Sequence, residues 1–156
     1  MAIEMSKQLV NLINDYETIK VLATVDEKGQ PHSILNQHVT VLEDGRLVYL
    51  EHLESSRSYK NFTRSLWYDQ KVSITVVGKN GASWQIKGKP ERIIVSGPIF
   101  EYHYKKLREI FGDIDLAAVC IIEPEELIDE SFGVQFENQE KDYLIFKHLD
   151  RLARWD

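Results

Sequence analysis

The chain is poor in cysteine. Of its 156 residues only Cys120 carries a thiol, so an internal disulfide is excluded. Its apolar setting, LAAVCIIEP, marks it as a small buried side chain rather than a redox group. Long hydrophobic runs are missing too: no stretch approaches the ~20 apolar residues of a membrane helix. The start, MAIEMSKQLVNLIND, has neither the basic beginning nor the continuous apolar segment of a signal peptide. A cytoplasmic address with no membrane partner is the resulting expectation. Positive charge is also in short supply. With 19 Lys and Arg against 25 Asp and Glu, the net charge of −6 argues against a nucleic-acid partner, which would call for a basic stripe. It does not exclude a small anion, because distant carboxylates are screened over about 8 Å at physiological salt and local contacts dominate. No repeat, low-complexity tract or linker breaks the pattern before about residue 137, so the chain reads as one domain, 1–156, with a core over about 3–130 and a C-terminal extension over about 131–156.

What is present is mostly strand. After an amphipathic helix carrying Met5, Leu9, Leu12, Ile13 and Tyr16, the period changes from helical to alternating. IKVLATV (19–25), HSILNQHVTVL (32–42) and RLVYLE (46–51) are β-rich runs separated by the turn compositions DEKGQP and EDG. KVSITVV (71–77), the turn GKNG and ASWQIKGKPERIIV (82–95) make a second hairpin, with a bulge or bend expected at Gly88 and Pro90. A helix follows, with Pro98 in its first turn, Phe100, Tyr104, Leu107 and Phe111 on one face and Gly112 as its stop. LAAVCIIEP is the sixth strand, ending at Pro124. Six short strands with few helices must close or pair to hide their edges, which predicts a small antiparallel barrel, mainly β with helices at its rim. For the tail, ENQEKD followed by YLIFKHLDRLARW fits a hairpin or a helix bearing Ile145, Leu149 and Leu152.

One place joins two strands without a tight turn. There HLESSRSYKN (52–61) gathers three serines, an arginine and a lysine. Tyr59, Phe62 and Leu66 recur at helical spacing, so the segment predicts a helix with Ser55 or Ser56 as its N-cap. The free N–H groups of a helix N-terminus, joined by Arg57, Ser58 and Lys60, would form a phosphate cradle; a capped helix with solvated charges is the alternative. In LNQHV (35–39) three polar residues, Asn36, Gln37 and His38, interrupt an apolar strand. That suits either a polar ligand edge or a solvent-facing stretch near a sheet edge. His32 with His38, and His52 with Glu54, are too sparse for a metal site, so none is expected. His103 fits a surface or packing role, Asp113 and Asp115 fit a loop, and neither a nucleophile elbow nor a dinucleotide glycine motif is present.

Taken in order, the helix, IKVLATVDEKGQPH, EDGRLVYL, the Ser/Arg cluster with NF behind it, KVSITVV and ASWQIKGKPERI resemble the FMN-binding split-barrel family, which includes pyridoxamine 5'-phosphate oxidase and small bacterial FMN-binding proteins. The resemblance covers roughly residues 3–130. It implies a six-stranded antiparallel split β-barrel and a homodimer that holds FMN non-covalently between its subunits. Arg57 and Ser58 would contact the phosphate, with Ser56 and Asn61 beside them. Asn36, Gln37 and His38 would run along the flavin ring, and Trp84 would flank it from the partner chain or pack as a core or interface tryptophan. The implied activity is flavin-mediated transfer of hydride or electrons to a small-molecule substrate; the alternative is a non-catalytic FMN-binding, electron-transfer or ligand-sensing protein. Related barrels also use haem or a deazaflavin. The ending KHLDRLARWD does not match the Arg/His-bearing C-terminal segment with which the vitamin oxidases hold their substrate phosphate.

Overall fold

A computed structural model describes residues 3–142. Four helices and seven strands alternate as α1 (Lys7–Asn14), β1 (Ile19–Val25), β2 (Pro31–Leu35), β3 (Val39–Val41), β4 (Leu47–Glu51), α2 (Arg57–Trp67), β5 (Val72–Val77), β6 (Ser83–Ile94), α3 (Pro98–Phe111), β7 (Ala118–Asp129) and α4 (Phe132–Asp142). All strands join one antiparallel sheet in the order β2-β1-β5-β6-β7-β4-β3. The sheet curls into a split barrel, as expected, but with seven strands rather than six. HSILNQHVTVL is two strands, β2 and β3, which lie at opposite edges of the sheet.

That break closes the barrel. Asn36 N–H donates to the Lys20 carbonyl (2.9 Å), extending the β1–β2 pairing by one residue, and Leu50 N–H donates to the His38 carbonyl (3.0 Å), extending β3–β4. Asn36, Gln37 and His38 therefore bridge β1 to β4 across the split.

The core lies on both sides of the curl. Inside, Leu9 and Ile13 of α1 and Phe62 of α2 meet Leu22, Tyr49, Ile74, Ile86, Cys120 and Ile122 of the strands. Outside, Leu107 of α3 covers Val48, Ile94, Leu116, Val119 and Ile121. β4 and β7 are thus buried on both faces, which is why they read as continuous apolar runs instead of alternating. Cys120 is completely buried, and burial pushes its thiol up to about 12.

β6 and β7, twelve residues each, pair from Trp84 opposite Asp129 to Ile94 opposite Val119, so β7 runs past Pro124, the predicted end, to Asp129. Register shifts between Lys87 and Gly88 and between Pro90 and Arg92 absorb the bend predicted at Gly88 and Pro90. Gly88 is required there: a Cβ would lie 2.6 Å from the Glu123 carbonyl oxygen and 2.7 Å from Ile122 Cγ2. A helix, α4, covers Phe132–Asp142, while Ile145, Leu149 and Leu152, on which the choice between hairpin and helix for the tail turns, lie outside the described residues. Among the described residues no helix is long and apolar enough to cross a membrane.

Candidate functional site

The Ser/Arg cluster folds as the first turn of α2. Ser56 is the N-cap, its Oγ accepting from Tyr59 N–H at 3.0 Å, and Lys60 N–H reaches the Ser56 carbonyl at 3.2 Å. The N–H groups of Arg57 and Ser58 have no acceptor within the helix, as first-turn geometry dictates. Arg57 is exposed, and no ion pair holds it among the described residues. The opposite, barrel-facing side of α2 carries Ser58, Asn61, Phe62 and Ser65, all buried. This face is more polar than the Tyr59, Phe62, Leu66 stripe read from the sequence. Asn61 Nδ2 donates to Thr24 Oγ1 at 3.1 Å, whereas Ser58 Oγ, with Ser58 only 2% exposed, has no hydrogen-bond partner.

The loop that delivers this turn is tied down. Glu51, nearly buried, accepts from Tyr49 Oη (3.3 Å) and from Leu53 N–H (3.2 Å), and Ser56 N–H donates to the Leu53 carbonyl. His52 Nδ1 lies 2.9 Å from the Asp115 carbonyl oxygen, so the ring is the donor there. Burial pushes the Tyr49 phenol well above its ordinary value, reinforced by the neighbouring Cys120 and Glu51.

The three polar residues of the seam have intramolecular work. Asn36 Nδ2 donates to the Leu50 carbonyl (3.2 Å) while its Oδ1 accepts from His38 N–H (2.9 Å). Gln37 accepts from Lys20 N–H (3.3 Å) and donates to the Tyr16 carbonyl (3.1 Å). The His38 ring stands edge-on to Phe111 at 4.6 Å between centroids, and its Nδ1 is buried without a partner. Burial lowers its pKa to about 4, helped by His52 and Lys20. Trp84 lies apart from both groups: it opens β6 opposite Val76 and lines a cleft with Leu9, Leu12 and Gly78 at the α1 end.

The structure therefore brings Ser56, Arg57, Ser58 and Asn61 together, sets Asn36, Gln37 and His38 at the seam, and joins the two groups through His52. Trp84 stays outside this ensemble within the chain. Two residues of the site are not among the candidates read from the sequence, where Lys20 is not singled out and His52 is weighed only as a metal ligand. Lys20 is fully buried, its Nζ donating to the carbonyls of Asp15 (2.8 Å) and Gln37 (3.3 Å). Burial lowers it to about 8 despite the nearby Asp15 carboxylate. His52 is the other; its position directly after the β4 run was the available signal. Among the described residues no group of three or more His, Cys, Asp or Glu is placed to hold a metal.

A curled antiparallel sheet closed by a polar seam, with a Ser/Arg helix turn at its rim, defines a split-barrel protein. The pyridoxamine 5'-phosphate oxidase family model matches residues 5–133, and the chain belongs to that family. Solved structures share the fold. HupZ of Group A Streptococcus aligns with a TM-score of 0.68 at 23% identity, over 83% of this chain and 96% of that one. An FMN-binding protein from Syntrophomonas wolfei gives 0.64 at 15%, over 79% and 84%. HutZ, the heme storage protein from Vibrio cholerae, gives 0.59 at 15%, over 85% and 99%. Among curated proteins none matches the chain.

Proposed function

We propose that the chain binds FMN non-covalently and works as a flavin-dependent oxidoreductase on a small molecule. The observation that carries this reading is the pairing, in one helical turn, of an unpaired Arg57 with a buried Ser58 hydroxyl that lacks a partner. An unsatisfied buried hydroxyl costs roughly 1–3 kcal/mol, so such a group is retained where something else engages it. A phosphate fits: it accepts from the free N–H groups of Arg57 and Ser58, from the Ser58 hydroxyl and from the guanidinium, and it favours the positive end of the helix dipole. Ser56 shapes the turn, and Asn61 fixes it to β1 through Thr24. Bound there, FMN would supply the acceptance and release of hydride or electrons. The chain's own part is to hold the phosphate, orient the ring and exclude water. Asn36 and Gln37 would contribute through the shape of the seam, since their side chains are already engaged, and His38 offers a neutral ring nitrogen.

A second copy would complete the site. In β1 Lys20, Leu22 and Thr24 face in, while Ile19, Val21, Ala23 and Val25 face out. Register sets Val21 beside Leu35 and Ile19 beside Val77, so the outer face carries an apolar patch on which Ile19 is 49% and Leu35 60% exposed. A two-fold interface on this patch would bury it, and Trp84 of a second copy would then be the candidate to flank the ring. Sedimentation should give a dimer; a stable monomer that binds FMN tightly would refute this arrangement.

Titration of FMN and riboflavin tests the phosphate assignment. Arg57→Ala with Ser58→Ala removes one charge-assisted and one neutral contact, which should weaken FMN by about 30- to 2,000-fold and leave riboflavin nearly unchanged. Equal losses for both ligands would reject the assignment.

A further inference from the structure

The outward face of α2 is unlike the rest of the surface. Its sequence, RSYKNFTRSLW, holds three cations and no acid, in a chain whose net charge is −6. Lys60 and Arg64 stand one turn apart, and beyond them Trp67 and Tyr68 are 79% and 69% exposed. With Tyr59, Thr63 and one acid, Glu54, they line an open groove of about 600 Å³, the size of a small-ligand site.

Arg64 is the informative residue. Its guanidinium lies over the Tyr68 ring, 4.7 Å from the centre, while Nη1 is buried with no hydrogen-bond acceptor. The acid that feels its charge, Asp26 in the β1–β2 turn, has its Oδ1 engaged by the N–H groups of Lys28 and Gln30 at 2.8 Å each. A cation with no ion pair among the described residues, lying over one ring beside a second exposed ring, is half of a recognition site.

We propose that this groove is a second binding site, distinct from the α2 N-terminus, for a planar aromatic anion: the negative group on Arg64 and Lys60, the ring stacked against Trp67 and Tyr68. The chain's net charge of −6 disfavours polyanions such as nucleic acid, and a single groove suits a small molecule.

The probe is 1-anilinonaphthalene-8-sulfonate, with the neutral N-phenyl-1-naphthylamine as control, titrated into the full chain while tryptophan quenching is followed. Saturable binding of the anion at one site per chain is expected, with the quench lost in Trp67→Phe and affinity lowered at least about tenfold in Arg64→Gln, which removes the charge and keeps much of the side-chain volume. Saturating FMN should leave the anion bound. Equal binding of the neutral probe, or an undiminished affinity in Arg64→Gln with an intact circular dichroism spectrum, would overturn the proposal. Displacement by FMN would also overturn it, assigning the groove to the cofactor site. Absence of any Trp67 quench together with a dimer whose Trp67 emission is blue-shifted would assign the face to a second copy instead.

Discussion

The rings of His38 and His52 meet edge to face, 4.7 Å between centroids and 83° between planes. Both keep one nitrogen buried without a partner, and the pair joins the seam to the loop that leads into α2. A proton on the half-buried His38 ring is disfavoured first by burial and further by the nearness of His52 and Lys20.

The burial of His38, with His52 and Lys20 close by, predicts a pH dependence. His38 has a folded pKa of about 4, below its ordinary 6.5, so between these values the unfolded chain binds more protons than the folded one. Stability should therefore be intact above about pH 6.5 and decline as pH falls towards 4, by up to roughly 3 kcal/mol. Urea midpoints across that range should follow this course in wild type, and His38→Phe should flatten it. An equally steep decline in the variant would place the titrating group elsewhere.

The seam predicts a loss of stability that does not depend on any ligand. Gln37→Leu leaves the Lys20 N–H and the Tyr16 carbonyl without their partner, a cost of roughly 2–4 kcal/mol for two such groups. Hydrogen exchange should quicken at the Lys20 and Leu50 amides before it does in β5. Unchanged stability in the apo-protein would mean that the backbone bonds alone close the barrel.

Two glycines should respond to the same substitution with opposite signs. Gly88→Ala drives a Cβ into the backbone of β7 and should cost at least about 1–3 kcal/mol. Gly133→Ala, on α4 with open space around it, should stabilise by about 0.5–1 kcal/mol if the helix is formed in the native state. Thermal melts of the two variants suffice, and a tolerated Gly88→Ala would contradict the close approach of β6 to β7.

Features set by nearby residues were legible in the sequence. Ser56 as a cap, Pro98 and Gly112 as the limits of α3, the hairpin turns, and the bend at Gly88 and Pro90 each follow from the chemistry of a few adjacent positions. Features set by distant partners were not. HSILNQHVTVL alternates well enough to pass for one strand, because nothing within it reveals that its halves pair with opposite edges of the sheet. Lys20 sits where alternation would place an outward residue; only the carbonyls of Asp15 and Gln37, brought together by closure, make its burial tolerable. The α2 cluster was legible as a helix start and an anion cradle, but the division of its residues between a barrel-facing and a solvent-facing side came from the docking of Phe62 against Tyr49.

The placement of β2 and β3 at the two ends of the strand order bears on how the chain reaches this shape. The β1–β2 and β5–β6 hairpins need only short loops, whereas the β4–β7 pairing joins Leu47 to Ile122 and must enclose about half of the chain between them. Ordering so long an excursion is repaid only when the two ends meet, which makes this the slow event in assembly. The outermost strands can then be drawn together by their three-residue connection, at little further loss of freedom. Stopped-flow folding of Val119→Ala should accordingly be retarded, while substitutions in the β1–β2 turn should act mainly on unfolding; the reverse pattern would put the rate-limiting contact in the hairpins.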